Sequence, residues 1–115
     1  MKFLCICEGG NVRSVALART LKDNFRQDAI SAGWAYNGRD LLERLGEWAD
    51  FIILMQPYFL DRVPEAFRTV WKRKIRVLDV GQDRFGVPSH PELVRIVSEA
   101  AQSWYNANWQ IPGGV

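Results

Sequence analysis

Four strand-length apolar runs, separated by stretches of helical period, leave this chain few folds to choose from. KFLCIC (residues 2–7), DAISAG (28–33), DFIILM (50–55) and IRVLDV (75–80) have the length of strands and no regular polar alternation. SVALARTLKDNF changes to a helical period, with Leu17, Leu21 and Phe25 four residues apart and Ala18 beside them. NGRDLLERLGEWA forms an amphipathic segment around Leu41, Leu42 and Leu45, and PYFLDRVPEAFRTVWKRK is one or two short helices broken at Pro64. SHPELVRIVSEAAQSWYNA closes the series, with Ser89 as cap, Glu92 as its capping-box partner, Pro91 in the first turn, and Leu93, Val97, Ala100 and Trp104 as the buried stripe. The tail NWQIPGGV has no periodicity and is expected to wrap the surface or fray.

Strands without alternation, joined by helices, mean a parallel sheet covered on both faces. The expected fold is a three-layer α/β domain spanning residues 1–115. With 115 residues and 48% hydrophobic side chains, one core is affordable and two are not. Ligands of such sheets sit beyond the carboxyl ends of the strands. At that end of the first strand lies CEGGNVRS, Cys7 to Ser14.

The totals narrow the function classes. A net charge of +2 does not suit a general nucleic-acid binder. The basic cluster WKRKIR reads as a solvated turn. No apolar run approaches the roughly 18 residues of a membrane span, and MKFLCICEGG lacks the length of a signal peptide, so a cytosolic protein is expected. Cys5 and Cys7, two residues apart on one strand, are poorly placed for a disulfide. Cys5 reads as core. One histidine and two cysteines do not make a familiar zinc set, and no metal or other cofactor is expected.

The loop itself carries chemistry. Gly9 and Gly10 permit backbone angles that place several N–H groups around an anion, with the positive end of a helix behind them. The cradle runs through Glu8, Gly9, Gly10, Asn11, Val12, Arg13 and Ser14. Arg13 adds a planar fork for two phosphoryl oxygens. Cys7, on the floor, is a nucleophile whose thiolate those donors favour, and Ser14 is able to hydrogen-bond the sulfur. A nucleotide-type phosphate loop is excluded, because no Gly-Lys-Ser/Thr follows.

Cysteine, five residues, then Arg-Ser between strand and helix resembles the low-molecular-weight protein tyrosine phosphatases. The likeness covers most of the chain: FLCICEGGNVRSVALA, then SAG (31–33), then WADFIILM. The ending VLDVGQDRFGVPSHPEL is similar to a short bacterial and phage branch of that family. The resemblance implies a four-stranded parallel sheet in the order 2-1-3-4. It also implies a metal-free reaction in which Cys7 attacks phosphorus, Arg13 holds the equatorial oxygens and an acid protonates the leaving group. Asp83 or His90 is expected as that acid, and Trp34 and Phe85 are expected to flank the substrate, with Tyr36 and Tyr58 as weaker candidates. A phosphorylated protein, plausibly on tyrosine, or a small aryl phosphate is the implied substrate.

Four departures stand out. Gly10 occupies the position where the family has Asn, and Asn11 follows it. Glu8 sets a carboxylate beside the nucleophile. Val12 replaces a second cysteine of the loop. His90-Pro91 stands where the family has Asp-Pro. Glu8, Gly10 and the missing Asp-Pro also fit a binding domain that holds an oxyanion or a phosphorylated partner without turnover. Arsenate reduction, which shares the fold, needs relay cysteines, and only Cys5 accompanies Cys7.

Overall fold

A computed structural model describes residues 1–113. The strands are β1 (Lys2–Cys7), β2 (Asp28–Gly33), β3 (Phe51–Leu54) and β4 (Ile75–Val77). The helices are α1 (Arg13–Phe25), α2 (Arg39–Trp48), α3 (Glu65–Trp71) and α4 (Pro91–Asn106), with a 3₁₀ turn over Pro57–Arg62. All pairings are parallel and the order is β2-β1-β3-β4. This is the expected architecture. β1 is central, and all but its first residue is buried. Register pairs Cys7 with Gly33 and Ile6 with both Ala32 and Leu54, so three strand ends meet beside the loop after β1.

Side chains on β1 point alternately to two helical layers. On one side α1 packs against α4, and Phe3 stacks on Trp104 at 6.2 Å. On the other, α2 meets α3. A Cβ on Gly46 would collide with the Trp71 indole, so the glycine is what lets α2 seat that buried ring. Leu17 and Leu21 are fully buried and Phe25 half-buried, as the helical period of α1 requires.

Several local readings need correction. The cap of α4 is His90, not Ser89: Pro91 starts the helix, and the backbone N–H of Glu92 donates to His90 Nδ1 at 3.2 Å. The buried stripe of α4 runs through Leu93, Val97 and Ala101 rather than Ala100, because an i, i+4 row stays on one face. β4 is short. Past Val77 the chain still bonds to β3, from Leu78 N–H to the Leu54 carbonyl, then turns away at Gly81, whose φ is +77°. The WKRKIR segment is only partly solvated. Trp71 is core, Lys74 Nζ donates to the last carbonyls of α2, at Gly46 and Glu47, and Arg76 Nε donates to the Ile111 carbonyl at 2.7 Å. That bond, with buried Ile111 and with Trp109 against Phe3 and Phe25, packs the tail against β4, β1 and the end of α1.

Candidate active site

The loop between β1 and α1 rests on the end of β2. Gly10 takes a left-handed φ of +73°, and a Cβ there would lie 2.7 Å from the Ala32 carbonyl carbon and Gly33 nitrogen. Gly33 returns the constraint, since a Cβ on it would strike the backbone of Glu8, Gly9 and Gly10. Two backbone bonds knit the contact, Trp34 N–H to the Cys7 carbonyl at 3.0 Å and Ala35 N–H to the Glu8 carbonyl at 2.9 Å. The Asn37 side chain accepts from the Gly33 N–H at 2.8 Å. SAG is thus the seat on which the loop is shaped. Asn11, next to Gly10, is exposed, and its side chain lies over Gly9.

Cys7 is 2% exposed at the base of this loop. Its Sγ lies 3.1 Å from Ser14 Oγ and accepts the Gly10 N–H at 3.3 Å. Ser14 is fully buried, so its hydroxyl has been withdrawn from water to meet the sulfur. Cys5 is different. Burial pushes its thiol far above the ordinary range, the Cys7 charge adding to the effect, and it stays protonated and inert.

Arg13, only 3% exposed, opens α1 and turns its guanidinium toward β3 and the loop after β4. Nη1 donates to Gln56 Oε1 at 2.7 Å and to the Gly81 carbonyl at 2.8 Å. The Phe59 ring packs beneath, 5.5 Å from Cζ. Nε is buried without a partner. A buried N–H left unbonded costs free energy unless something accepts from it. An oxyanion in the adjoining cleft is a fitting acceptor.

That cleft, of about 600 Å³, is lined by Glu8, Arg13, Gln56, Tyr58, Phe59, Gln82 and Asp83. Glu8 does not hang free over it, because Arg62 Nη1 pairs with its carboxylate at 3.0 Å and also donates to the Tyr58 hydroxyl. Among the described residues no three His, Cys, Asp or Glu side chains converge as a metal site, and no helix is long and apolar enough to cross a membrane.

Cys7, Ser14 and the Gly10 N–H therefore come together, while Arg13, Glu8 and Asp83 line the adjoining cleft, whose wall includes neither Cys7 nor Ser14. His90, Trp34 and Phe85 do not line it. His90 spends Nδ1 on the α4 cap and stands edge-on to Phe85 at 5.4 Å. Phe85 is 5% exposed, with Arg84 across its face at 4.3 Å. Trp34 packs on Trp71 at 6.1 Å. Of the aromatics, Tyr58 reaches the cleft rim while 51% exposed, whereas Tyr36 projects into solvent. Sequence reasoning passed over Gln56 and Arg62. The position of Gln56, just past the carboxyl end of a strand adjacent to β1, is the signal that marked it. Arg62 carried none.

No family model and no curated protein matches the chain. Solved structures do. The arginine phosphatase YwlE of Geobacillus stearothermophilus aligns over 99% of both chains with 18% identity and a TM-score of 0.69. The tyrosine phosphatase Wzb of Escherichia coli K30, solved with sulphate, aligns over 93% of this chain and 97% of its own, with 16% identity and a TM-score of 0.68. A further protein tyrosine phosphatase aligns over 97% and 98%, with 14% identity and a TM-score of 0.72. The chain has the fold of the low-molecular-weight phosphatases.

Proposed function

We propose that this chain, built on the fold of the low-molecular-weight phosphatases, hydrolyses phosphoric monoesters through a phosphocysteine. The observation that carries the reading is the joint environment of Cys7 and Arg13. A sulfur held by a backbone N–H and a buried hydroxyl lies on the same loop as a buried guanidinium with an unpartnered N–H. In the first step Cys7 Sγ bonds to phosphorus as the ester P–O bond breaks, and the leaving oxygen takes a proton from an acid. In the second, water attacks phosphorus, gives its proton to the same carboxylate, and the P–S bond breaks to return the thiolate. Ser14 stabilises that thiolate through its hydroxyl. Asp83, on the cleft wall, is the better candidate for the acid, since His90 is occupied as a helix cap. No cofactor is required.

The preferred substrates are aryl phosphates, including phosphotyrosine in a protein. Tyr58 supports this, because its half-exposed ring offers the apolar face at the rim that Trp34 and Phe85 do not. A domain that binds the oxyanion without turnover is the second reading, favoured by His90-Pro91 standing in place of Asp-Pro, with His90 spent on the cap of α4.

Steady-state hydrolysis of p-nitrophenyl phosphate between pH 5 and 8 separates the two. Turnover abolished by Cys7→Ser and blocked by vanadate is the expected result, with Asp83→Asn losing the acidic part of the pH profile and His90→Asn retaining it. Absence of turnover with retained vanadate binding overturns the enzymatic reading and leaves the binding domain.

A further inference from the structure

The Arg13 guanidinium is held from outside its own loop, and the manner of holding assigns a role to a residue not otherwise tied to the chemistry. Nη1 takes two acceptors at once, Gln56 Oε1 at 2.7 Å and the Gly81 carbonyl at 2.8 Å. The two come from different elements, Gln56 from the turn just past β3 and Gly81 from the loop past β4. Both are neutral acceptors. Neither cancels the positive charge, as a carboxylate in the same place would.

A guanidinium presents five N–H groups in one plane. With Nη1 committed, the edge formed by Nε and Nη2 has no protein partner among the described residues, and Nε is buried. Two parallel N–H groups on that edge match two oxygens of a phosphoryl group. Rotation of the plane would sacrifice both Nη1 bonds, so the free edge is fixed before any anion arrives.

We infer that Gln56 is a positioning residue that locks Arg13 with its Nε/Nη2 edge toward the oxyanion site. Through the same nitrogen it registers the loop carrying Asp83 against that site. Gly81, two residues before Asp83, is itself held by two interactions: its carbonyl accepts from Arg13 and its N–H donates to Asp79 Oδ1 at 2.9 Å. Gln56 touches no reacting atom in this scheme and acts through Arg13. The inference deepens the phosphatase reading but rests only on the anion site.

The test is a double-mutant cycle on orthovanadate binding, read by the intrinsic tryptophan fluorescence of the full chain. Gln56→Leu keeps the bulk and removes the acceptor. It is expected to weaken vanadate by about tenfold or more, the scale of a hydrogen bond to a charged group. Arg13→Lys removes the planar fork, and in that background Gln56→Leu is expected to change nothing further. A merely structural Gln56 would instead weaken binding equally in both backgrounds, with a matching fall in melting temperature, and would overturn the inference. So would a Gln56→Leu chain that binds vanadate like the parent. A parent that binds vanadate without turning over substrate refutes the enzymatic reading alone. A parent that binds no vanadate refutes both.

Discussion

Arg62 Nη1 reaches both carboxylate oxygens of Glu8, at 3.0 and 3.2 Å, across 54 residues of sequence. The pair is half open to water, with side-chain exposures of 34% and 46%, so it adds little to folding stability. Its importance is local. Glu8 follows the cysteine directly, and an uncompensated carboxylate there repels a phosphate dianion. Arg62 supplies the compensating charge, and Tyr58 and Glu8 together hold its guanidinium and raise its pKa further.

Arg62→Met is therefore expected to weaken phosphate and vanadate binding several-fold, with a larger loss at low ionic strength. Adding Glu8→Gln to the same chain is expected to restore the affinity, since the charge that needed a partner is gone. Competition against p-nitrophenyl phosphate, or calorimetry with phosphate, reads both. An Arg62→Met chain with unchanged affinity at low salt would sink the compensation argument.

Gly33 tests the seat beneath the loop. A Cβ at this position meets backbone atoms of Glu8, Gly9 and Gly10, which cannot swing aside as a side chain would. Gly33→Ala is expected to cost about 1–3 kcal/mol by overpacking and to lower vanadate affinity at least about tenfold by displacing the Gly10 N–H from the sulfur. Gly38→Ala is the control, because nothing lies within 4 Å of its added Cβ. Equal vanadate titrations for the two variants would mean that the loop shape does not depend on its contact with β2.

Cys5 gives a pH dependence with a definite sign. Its folded-state pKa lies above the ordinary value of 9.0, chiefly through burial. The stability this contributes is fully present below pH 9.0 and is lost as the pH rises beyond it, because only the unfolded chain then releases the proton. The slope approaches about 1.4 kcal/mol per pH unit for one proton. Urea midpoints of the parent should thus fall more steeply between about pH 8 and 10.5 than those of Cys5→Ala. Parallel curves would remove Cys5 from the account.

Much of the fold was legible because burial on both sheet faces writes itself as unbroken apolar runs, and helices write themselves as a period of 3.6. KFLCIC and DFIILM became strands near their expected bounds for that reason. The errors fell where local pattern is silent. Ser89 and His90 both precede Pro91, and only the direction of the imidazole makes His90 the cap. Trp34 and Phe85 sit near the right loops in sequence, yet Phe85 turns into the core and half-buried Trp34 packs on Trp71, so both give their apolar faces to packing rather than to the cleft.

What the sequence determined by itself is the strand–loop–helix unit carrying Cys7, Arg13 and Ser14, since the spacing of seven residues and the glycines are local properties of one segment. What only the tertiary structure decided is which distant groups serve that unit. Gln56 and Gly81 grip Arg13, Gly33 supports Gly10, and Arg62 balances Glu8. These partners lie 23 to 68 residues away along the chain, at strand ends and in turns whose composition carries no period. They meet because parallel strands bring their carboxyl ends to one edge of the sheet, and the distances along that edge are set by packing, which no local pattern records.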